Sequence, residues 1–457
     1  MAYLFVGIFL SLIGYMVYFN FKLKDDVINS PYNSRQNAYE ERIVRGEIRS
    51  NDGTVLAQTQ TDAEGNETRV YPMGNVFAHV VGYMASGKSG LESSENYTLL
   101  TSHANPVEKV TNEFKEVKNQ GDNVITTLDA NLQQVAYDAL QTNGAVVVME
   151  PDTGKILACV SKPDFDPNTL AEQWDEIVND SENSSLLNRA FQGLYPPGST
   201  FKIVTSLAYL RQFGTLDGFS FDCEGELTAG GYTIHCYNSN VHGHEDFADA
   251  FANSCNTAFS QIGLSLNGDQ FAQTAEDLLF NKELPLELPY SKSSFSLNDS
   301  TADALTMQTA IGQGDTLATP IHMAMIASAV ANDGVLMTPY LVDRVESYTG
   351  TVVRETKQQE YDTLMTASEA ETLTQLMRGV VENGTAKPLQ EVPVPVAGKT
   401  GSAEHGDLSE PAHSWFVGFS NVDNPDIVVC VIAEKAGSGS EAAVPIAKKI
   451  FNAYYNN

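Results

Sequence analysis

Residues 144–168 read GAVVVMEPDTGKILACVSKPDFDPN. Two apolar runs flank a Pro-Asp-Thr-Gly turn, which predicts a β-hairpin with both strands buried. Three more strand-like runs lie near the far end of the chain: VPVPVAGKTGS (392–402), HSWFVGFS (413–420) and DIVVCVIAEK (426–435), with a last helix from about Ala442. Helical stretches at 199–212, 246–262 and 319–332 fill the interval. Strands at both ends with helices between predict an α+β domain whose sheet pairs the early hairpin with the late strands. No solenoid-length repeat or low-complexity linker interrupts it.

The 457 residues are 42% hydrophobic and 19% charged, a globular balance with room for two or three domains. Formal net charge is −31, from 27 basic and 58 acidic side chains. An acidic chain without a Lys/Arg block argues against nucleic acid or anionic headgroups as partners.

Residues 3–19, YLFVGIFLSLIGYMVYF, are apolar apart from Ser11. With fraying ends they reach the length needed to cross a hydrocarbon core of about 30 Å. No small-residue cleavage site follows, so the reading is an uncleaved single-pass anchor rather than a signal peptide. Lys22 and Lys24 follow the span and nothing basic precedes it, so charge bias alone would put the bulk of the chain in the cytoplasm. After the anchor, GEIRSNDGTVLAQT reads as a hairpin, and DNVITTLDANLQQVAYDAL as a strand followed by an amphipathic helix. GYMASGKS (82–89) fits the P-loop pattern, but the residues after it do not open an apolar-periodic helix, so it reads as a Gly-rich turn.

Three constellations carry chemistry. In YPPGSTFKIVT (195–205), Ser199 and Lys202 sit three apart and share a helix face. A serine hydroxyl needs a base within reach to become a nucleophile, and a lysine serves if burial or a second cation lowers its pKa. A cation at a helix start, inside an apolar run with Phe201, Val204 and Leu207, breaks local rules, and such breaks concentrate at functional sites. The second constellation is ANSCNTAF, where Ser254 and Asn256 sit at i, i+2 at a loop or helix tip. The third is VAGKTGSAE, which brings Lys399, Thr400, Gly401 and Ser402 onto a strand to whose edge a peptide could add. Each alone has a bland reading as an N-cap or an exposed lysine. Their joint occurrence in this order is specific.

With these residues the chain resembles the class B penicillin-binding proteins, serine acyltransferases of the cell wall. The resemblance also takes in VRGEIRSNDGTVLA (44–57), GKSGLE (87–92), PDFDPN (163–168), AIGQGDTLATPIHMA (310–324) and HSWFVGF (413–419). It implies a serine β-lactamase-like transpeptidase domain at 141–457, an elongated pedestal of the class B dimerisation type at 25–140 and a transmembrane anchor at 1–22. It implies cross-linking of D-Ala-D-Ala stem peptides through a serine acyl-enzyme, with covalent binding of β-lactams. Carried over residue by residue, Ser199 is the nucleophile and Lys202 its base. Ser254 relays the proton, Asn256 holds the donor amide and Lys399 supplies positive potential. Thr400 and Ser402 bind the terminal carboxylate, with Gly401 between them, and the N–H groups of Ser199 and Ser402 form the oxyanion hole. The family usually has threonine where Ser402 stands.

The resemblance also implies a bacterial membrane location with the catalytic domain outside, overriding the charge bias, and a membrane glycosyltransferase within a cell-wall synthesis complex as partner. The rivals are a hydrolase of D,D-carboxypeptidase or β-lactamase type, and a cell-wall scaffold or β-lactam sensor.

Five cysteines remain. Cys159 and Cys430 lie in apolar strands and read as buried thiols. Cys223 and Cys236 flank a Gly-rich loop and could form a disulfide in an oxidising compartment. Cys223, Cys236, His242 and Cys255 also make the ligand set of a closed structural zinc site, as occurs in this segment of some class B relatives. The disulfide and zinc readings stand level, with plain thiols as the remaining alternative, and catalysis itself calls for no cofactor.

Overall fold

The computed structural model describes residues 2–19, 40–406 and 409–456. Lys22, Lys24 and residues 25–39 of the expected pedestal lie outside them. The first helix, α1 (Ala2–Tyr18), is apolar and exposed along its length. No helix among the described residues is long and apolar enough to cross a membrane.

The hairpin at 144–168 seeds the main sheet. Strands β5 (Gly144–Met149) and β6 (Ile156–Lys162) pair antiparallel, and β5 continues onto the late strands. The order is β9–β10–β11–β5–β6, with β9 at Val396–Ala403, β10 at His413–Ser420 and β11 at Val428–Ala433. Every residue of β5, β10 and β11 is buried, which explains the unbroken apolar runs. The wholly buried helix α5 (Pro320–Ala331) packs across all three strands. Helix α7 (Ala443–Tyr455) packs on β10, β11 and α2 (Ala130–Ala139).

A second, six-stranded sheet forms the pedestal. The GEIRSNDGTVLAQT hairpin supplies β1 (Ile48–Arg49) and β2 (Val55–Thr61), followed by β3 (Glu67–Val70), while β4 (Asn123–Thr126) runs parallel to β1. The remaining two strands, β7 (Val342–Glu346) and β8 (Val352–Glu355), come from more than 200 residues further on. A strand pair lent from one half of the chain to the other's sheet fixes the two halves together. Asn168 adds to this by exchanging two hydrogen bonds with the Tyr71 backbone, at 2.9 and 3.0 Å.

The pedestal is also tied by charge. Glu92 is wholly buried and accepts from Arg45 Nε and Arg69 Nε, each at 2.6 Å. The P-loop-like segment follows a four-residue helix (Ala78–Val81), not a strand, and its Lys88 pairs with Glu40 at 2.9 Å. It is a turn.

One helix departs from expectation. The stretch expected as a single helix over 246–262 breaks into Phe247–Ala252 and α4 (Asn256–Ser265), because Ser254 takes a left-handed φ of 58°. Such a φ costs energy for a non-glycine residue and persists where the surrounding packing imposes it.

Candidate active site

The PPGSTFK segment opens with a 3₁₀ turn, Gly198–Phe201, that runs into helix α3 (Lys202–Phe213). In a 3₁₀ turn residues i and i+3 eclipse, which puts Ser199 and Lys202 on the same side of the turn. Gly198 has a φ of 52°, and a Cβ there would lie 3.1 Å from Ser402 O, so only glycine lets the turn press against β9. Trp415 Nε1 of β10 donates to Pro196 O at 3.1 Å and locks that approach.

The break at Ser254 turns the SCN segment toward this turn. Cys255 caps α4, its sulfur accepting from Ala258 N, so Asn256 becomes the first helical residue. Lys202 Nζ donates to Ser254 O at 2.7 Å and to Asn256 Oδ1 at 3.0 Å, and lies 3.3 Å from Ser254 Oγ. From the opposite side Lys399 Nζ donates to Ser254 Oγ at 2.8 Å. One serine hydroxyl therefore bridges two amines. Asn256 Nδ2 donates to His235 O at 3.0 Å, which fixes the side chain.

Both lysines have zero exposure. Burial draws Lys202 down to about 8, opposed by the nearby Cys255, Cys236 and Glu245. Burial, joined by the charge of Lys202, holds Lys399 well below the usual ammonium range. Two cations cannot both persist around one hydroxyl in so dry a place, and one proton is easily given up. A neutral lysine amine has two N–H groups and one lone pair. At Lys202 the two donors match the two carbonyl acceptors, which leaves the lone pair for a hydroxyl proton.

The edge strand β9 carries the third constellation. Lys399 and Thr400 are buried and Ser402 is half-buried, its Oγ accepting from Gly439 N at 3.2 Å. The site residues thus converge from three separate segments: the turn before α3, the turn before α4, and β9, which is supported by β10. Lys202, Ser254, Asn256 and Lys399 are joined by hydrogen bonds, and the turn that carries Ser199 packs on the strand that carries Lys399, Thr400, Gly401 and Ser402.

A model of the penicillin-binding protein transpeptidase domain matches residues 144–452, and one of the penicillin-binding protein A dimerisation domain matches 45–124. The chain belongs to the penicillin-binding protein transpeptidase family. The peptidoglycan D,D-transpeptidase PbpA of Mycolicibacterium smegmatis is 32% identical, covering 93% of this chain and 91% of that protein. The D,D-transpeptidase domain of a peptidoglycan glycosyltransferase from Eggerthella lenta superimposes with a TM-score of 0.82 at 32% identity, covering 91% of this chain and 99% of that one. Penicillin-binding protein A from M. tuberculosis, solved as a penicillin G acyl-enzyme complex, gives a TM-score of 0.82 at 31% identity, covering 90% and 99%.

One residue of the site had no signal in the sequence. Thr385, in the turn after helix α6 (Ala367–Glu382), places its Oγ1 2.5 Å from Thr400 Oγ1. The contact fixes the orientation of the Thr400 hydroxyl. Thr385→Val should raise KM for a D-Ala-D-Ala donor about tenfold, the worth of one hydroxyl contact, with kcat nearly unchanged. Steady-state kinetics with a synthetic donor checks this, and an unaltered KM would remove Thr385 from the site.

The cysteine segment folds beside the SCN turn. Cys223, Cys236, His242 and Cys255 bring their ligand atoms within 4.8 Å of one another. The Sγ atoms of Cys223 and Cys236, and of Cys236 and Cys255, are each 3.7 Å apart, and Cys223 Sγ is 3.4 Å from His242 Nδ1. All five cysteines are free, and bonded sulfurs would lie at about 2.05 Å, so the Cys223–Cys236 disulfide is not formed. A tetrahedral zinc with Zn–S bonds of about 2.3 Å has ligand edges of about 3.8 Å, and the observed spacings match that edge. Cys159 and Cys430 are buried away in β6 and β11 as expected.

Proposed function

We propose that Ser199 is the acyl-enzyme nucleophile of a peptidoglycan-cross-linking D,D-transpeptidase that also captures β-lactams. The observation that carries this reading is the Lys202–Ser254–Lys399 chain beside Ser199. Lys202, as the neutral amine, takes the Ser199 proton while the hydroxyl attacks the penultimate D-Ala carbonyl. The proton passes through Ser254 to the departing D-Ala amine. The backbone N–H groups of Ser199 and Ser402 receive the oxyanion. Thr400 and Ser402, across Gly401, bind the terminal carboxylate in the field of Lys399, and Asn256 holds the donor amide. An amine of a second stem then attacks the acyl carbon, Lys202 accepting its proton, and Ser199 is restored.

The experiment is intact mass of the full chain after brief exposure to benzylpenicillin, with a time course after drug removal. One adduct per chain that needs Ser199 and persists for many minutes is expected. An adduct lost within seconds would favour a hydrolase, and none at all, with no D-Ala release from a donor, a scaffold.

Residues 1–22 serve as the anchor, supported by the wholly exposed apolar face of α1, which water would not tolerate uncovered. On that reading the chain is single-pass in a bacterial membrane, with a pedestal over 25–140 and the transpeptidase domain over 141–457 outside it. A membrane glycosyltransferase, within a cell-wall synthesis complex, supplies the strands that are cross-linked.

Cys223, Cys236, His242 and Cys255 would hold a structural zinc. Four protein ligands leave no open position, so the metal supplies rigidity, not Lewis acidity. Because Cys255 stands between Ser254 and Asn256, metal retention sets where both side chains sit. Elemental analysis of protein purified without chelators should give about one zinc per chain, and its removal should lower the melting midpoint. Metal below about a tenth of stoichiometric ends the reading.

A further inference from the structure

Surface helices of globular domains turn their apolar stripe inward and their polar face to water. The pedestal helix Pro106–Phe114 does the reverse. Val107, Val110 and Phe114 recur at i, i+3 and i+7 on one face and are 74%, 52% and 86% exposed, and Val117, just beyond the helix, is 55% exposed. No residue of this helix is buried.

Its polar residues are the ones that face the body of the protein. Glu108 accepts from the Tyr348 hydroxyl, Lys109 Nζ donates to Ser102 O at 2.7 Å, and Asn112 Nδ2 donates to Asn119 Oδ1 at 3.0 Å. These three are half-buried and lie on the side of the helix opposite the stripe. Asn105 caps the start, its side chain accepting from Val107 N at 2.9 Å, and Pro106 takes the first helical position. Hydrogen bonds, not apolar burial, seat this helix, and they hold its apolar face outward.

Position and charge say what covers that face. Lys118, next to Val117, donates to Glu40 O at 2.8 Å, and Asn119 pairs with Ile43. The stripe therefore sits where the chain enters the pedestal from α1, with residues 20–39 between the two. A stretch of that length spans at most about 70 Å. Between residues 106 and 118, Lys109, Lys115 and Lys118 cancel Glu108, Glu113 and Glu116, in a chain whose net charge is −31. So acidic a surface is repelled by anionic headgroups, and a locally neutral patch is where it can approach them. Four apolar side chains fall far below the roughly 20–30 residues a side of a stable protein interface, whereas shallow insertion at a bilayer surface needs only one apolar helix face.

We propose that Val107, Val110, Phe114 and Val117 dip into the interfacial layer of the lipid bilayer that α1 enters, as a second contact between pedestal and membrane. The proposal rests on the reading of α1 as the anchor. The helix lies in the membrane plane, and the Phe114 ring and the valine side chains replace water at the boundary between headgroups and acyl chains. A pedestal held at two points has a fixed tilt. Because the strands at 342–355 lock its sheet to the transpeptidase domain, that tilt also sets the height of Ser199 above the bilayer.

The test is fluorescence of full-chain Phe114→Trp in phosphatidylcholine nanodiscs, with the signal of the two native tryptophans subtracted by means of the parent chain. Lipid brominated near the headgroup end of its acyl chains should quench the added signal at least twofold, and aqueous iodide should not reach it. Tyr232→Trp, 44% exposed in the transpeptidase domain, should show the opposite. Adding Val110→Glu to Phe114→Trp should abolish the bromolipid quenching and admit iodide, with acylation by benzylpenicillin unchanged. Quenching of residue 114 by iodide and not by bromolipid overturns the proposal. So does shielding from both, which would mean that residues 20–39 or another protein chain cover the stripe. Bromolipid quenching that survives Val110→Glu also overturns it, since residue 114 would then only lie near the bilayer. A chain that co-elutes with the discs but keeps residue 114 in water defeats this proposal alone, whereas a chain that does not co-elute defeats the anchor reading as well.

Discussion

Lys202→Met is expected to slow acylation by a β-lactam about a thousandfold or more without unfolding the chain. General-base assistance contributes about 10²–10⁴ in rate, and the 3₁₀ turn puts Lys202 on the same side as Ser199. Methionine matches the stem in length and fills the same buried volume. Two carbonyl acceptors, Ser254 O and Asn256 Oδ1, lose their donor, at about 1–3 kcal/mol each. Against this, a desolvated amine disappears and the repulsion on Lys399 is relieved. The two effects oppose each other, so the melting midpoint should stay within about 5 °C of the parent. Stopped-flow acylation and thermal melting read the two halves separately. Acylation within tenfold of the parent would mean another group takes the Ser199 proton.

Glu92→Gln should cost the pedestal about 3–5 kcal/mol, the usual penalty for removing one partner of a buried ion pair. Arg45 and Arg69 both spend their Nε donors on this carboxylate, with Arg45 6% exposed and Glu92 fully buried. Glutamine offers a single acceptor oxygen and no charge. Burial pushes the Glu92 carboxyl up, but the charges of Arg45 and Arg69 and their hydrogen bonds outweigh it, and the net position is below the ordinary value. A depressed carboxylate stabilises the fold above its unfolded pKa, near 4.3, and loses that contribution as pH falls through the lower folded value. The gap between parent and variant should therefore be constant from about pH 5 to 8 and close only in stronger acid. Denaturant unfolding at several pH values measures it. A gap under about 1 kcal/mol at pH 7 would show that the arginines find other partners.

Much of this was legible from residues that are neighbours in sequence. The hairpin at 144–168 and the strand at 413–420 announced buried strands because both faces of their sheet are covered, so apolar residues run without alternation. Ser199 and Lys202 could be paired because three residues make one turn. Ser254 and Asn256 are brought onto Lys202, but the single helix expected through them breaks. No propensity rule foresees that Ser254 adopts a φ of 58°, since the surrounding packing imposes it. Thr385 left no trace, being one hydroxyl in a turn whose role depends on Thr400 lying 2.5 Å away. The disulfide and the zinc set could not be separated by spacing alone. The 3.7 Å sulfur separations, which depend on how separate segments of the chain pack together, removed the first.

Most strands and helices, the S-x-x-K spacing and the family could be read from the chain alone, because periodicity and short motifs are written over a few adjacent residues. Tertiary structure alone decided that Ser254 bridges Lys202 and Lys399, 145 residues separating it from the latter. It also decided that residues 342–355 complete the pedestal sheet. Local sequence specifies φ, ψ and which face is apolar. The separation of groups far apart in the chain is set by how whole layers pack, and that is a property of the assembled core rather than of any one segment.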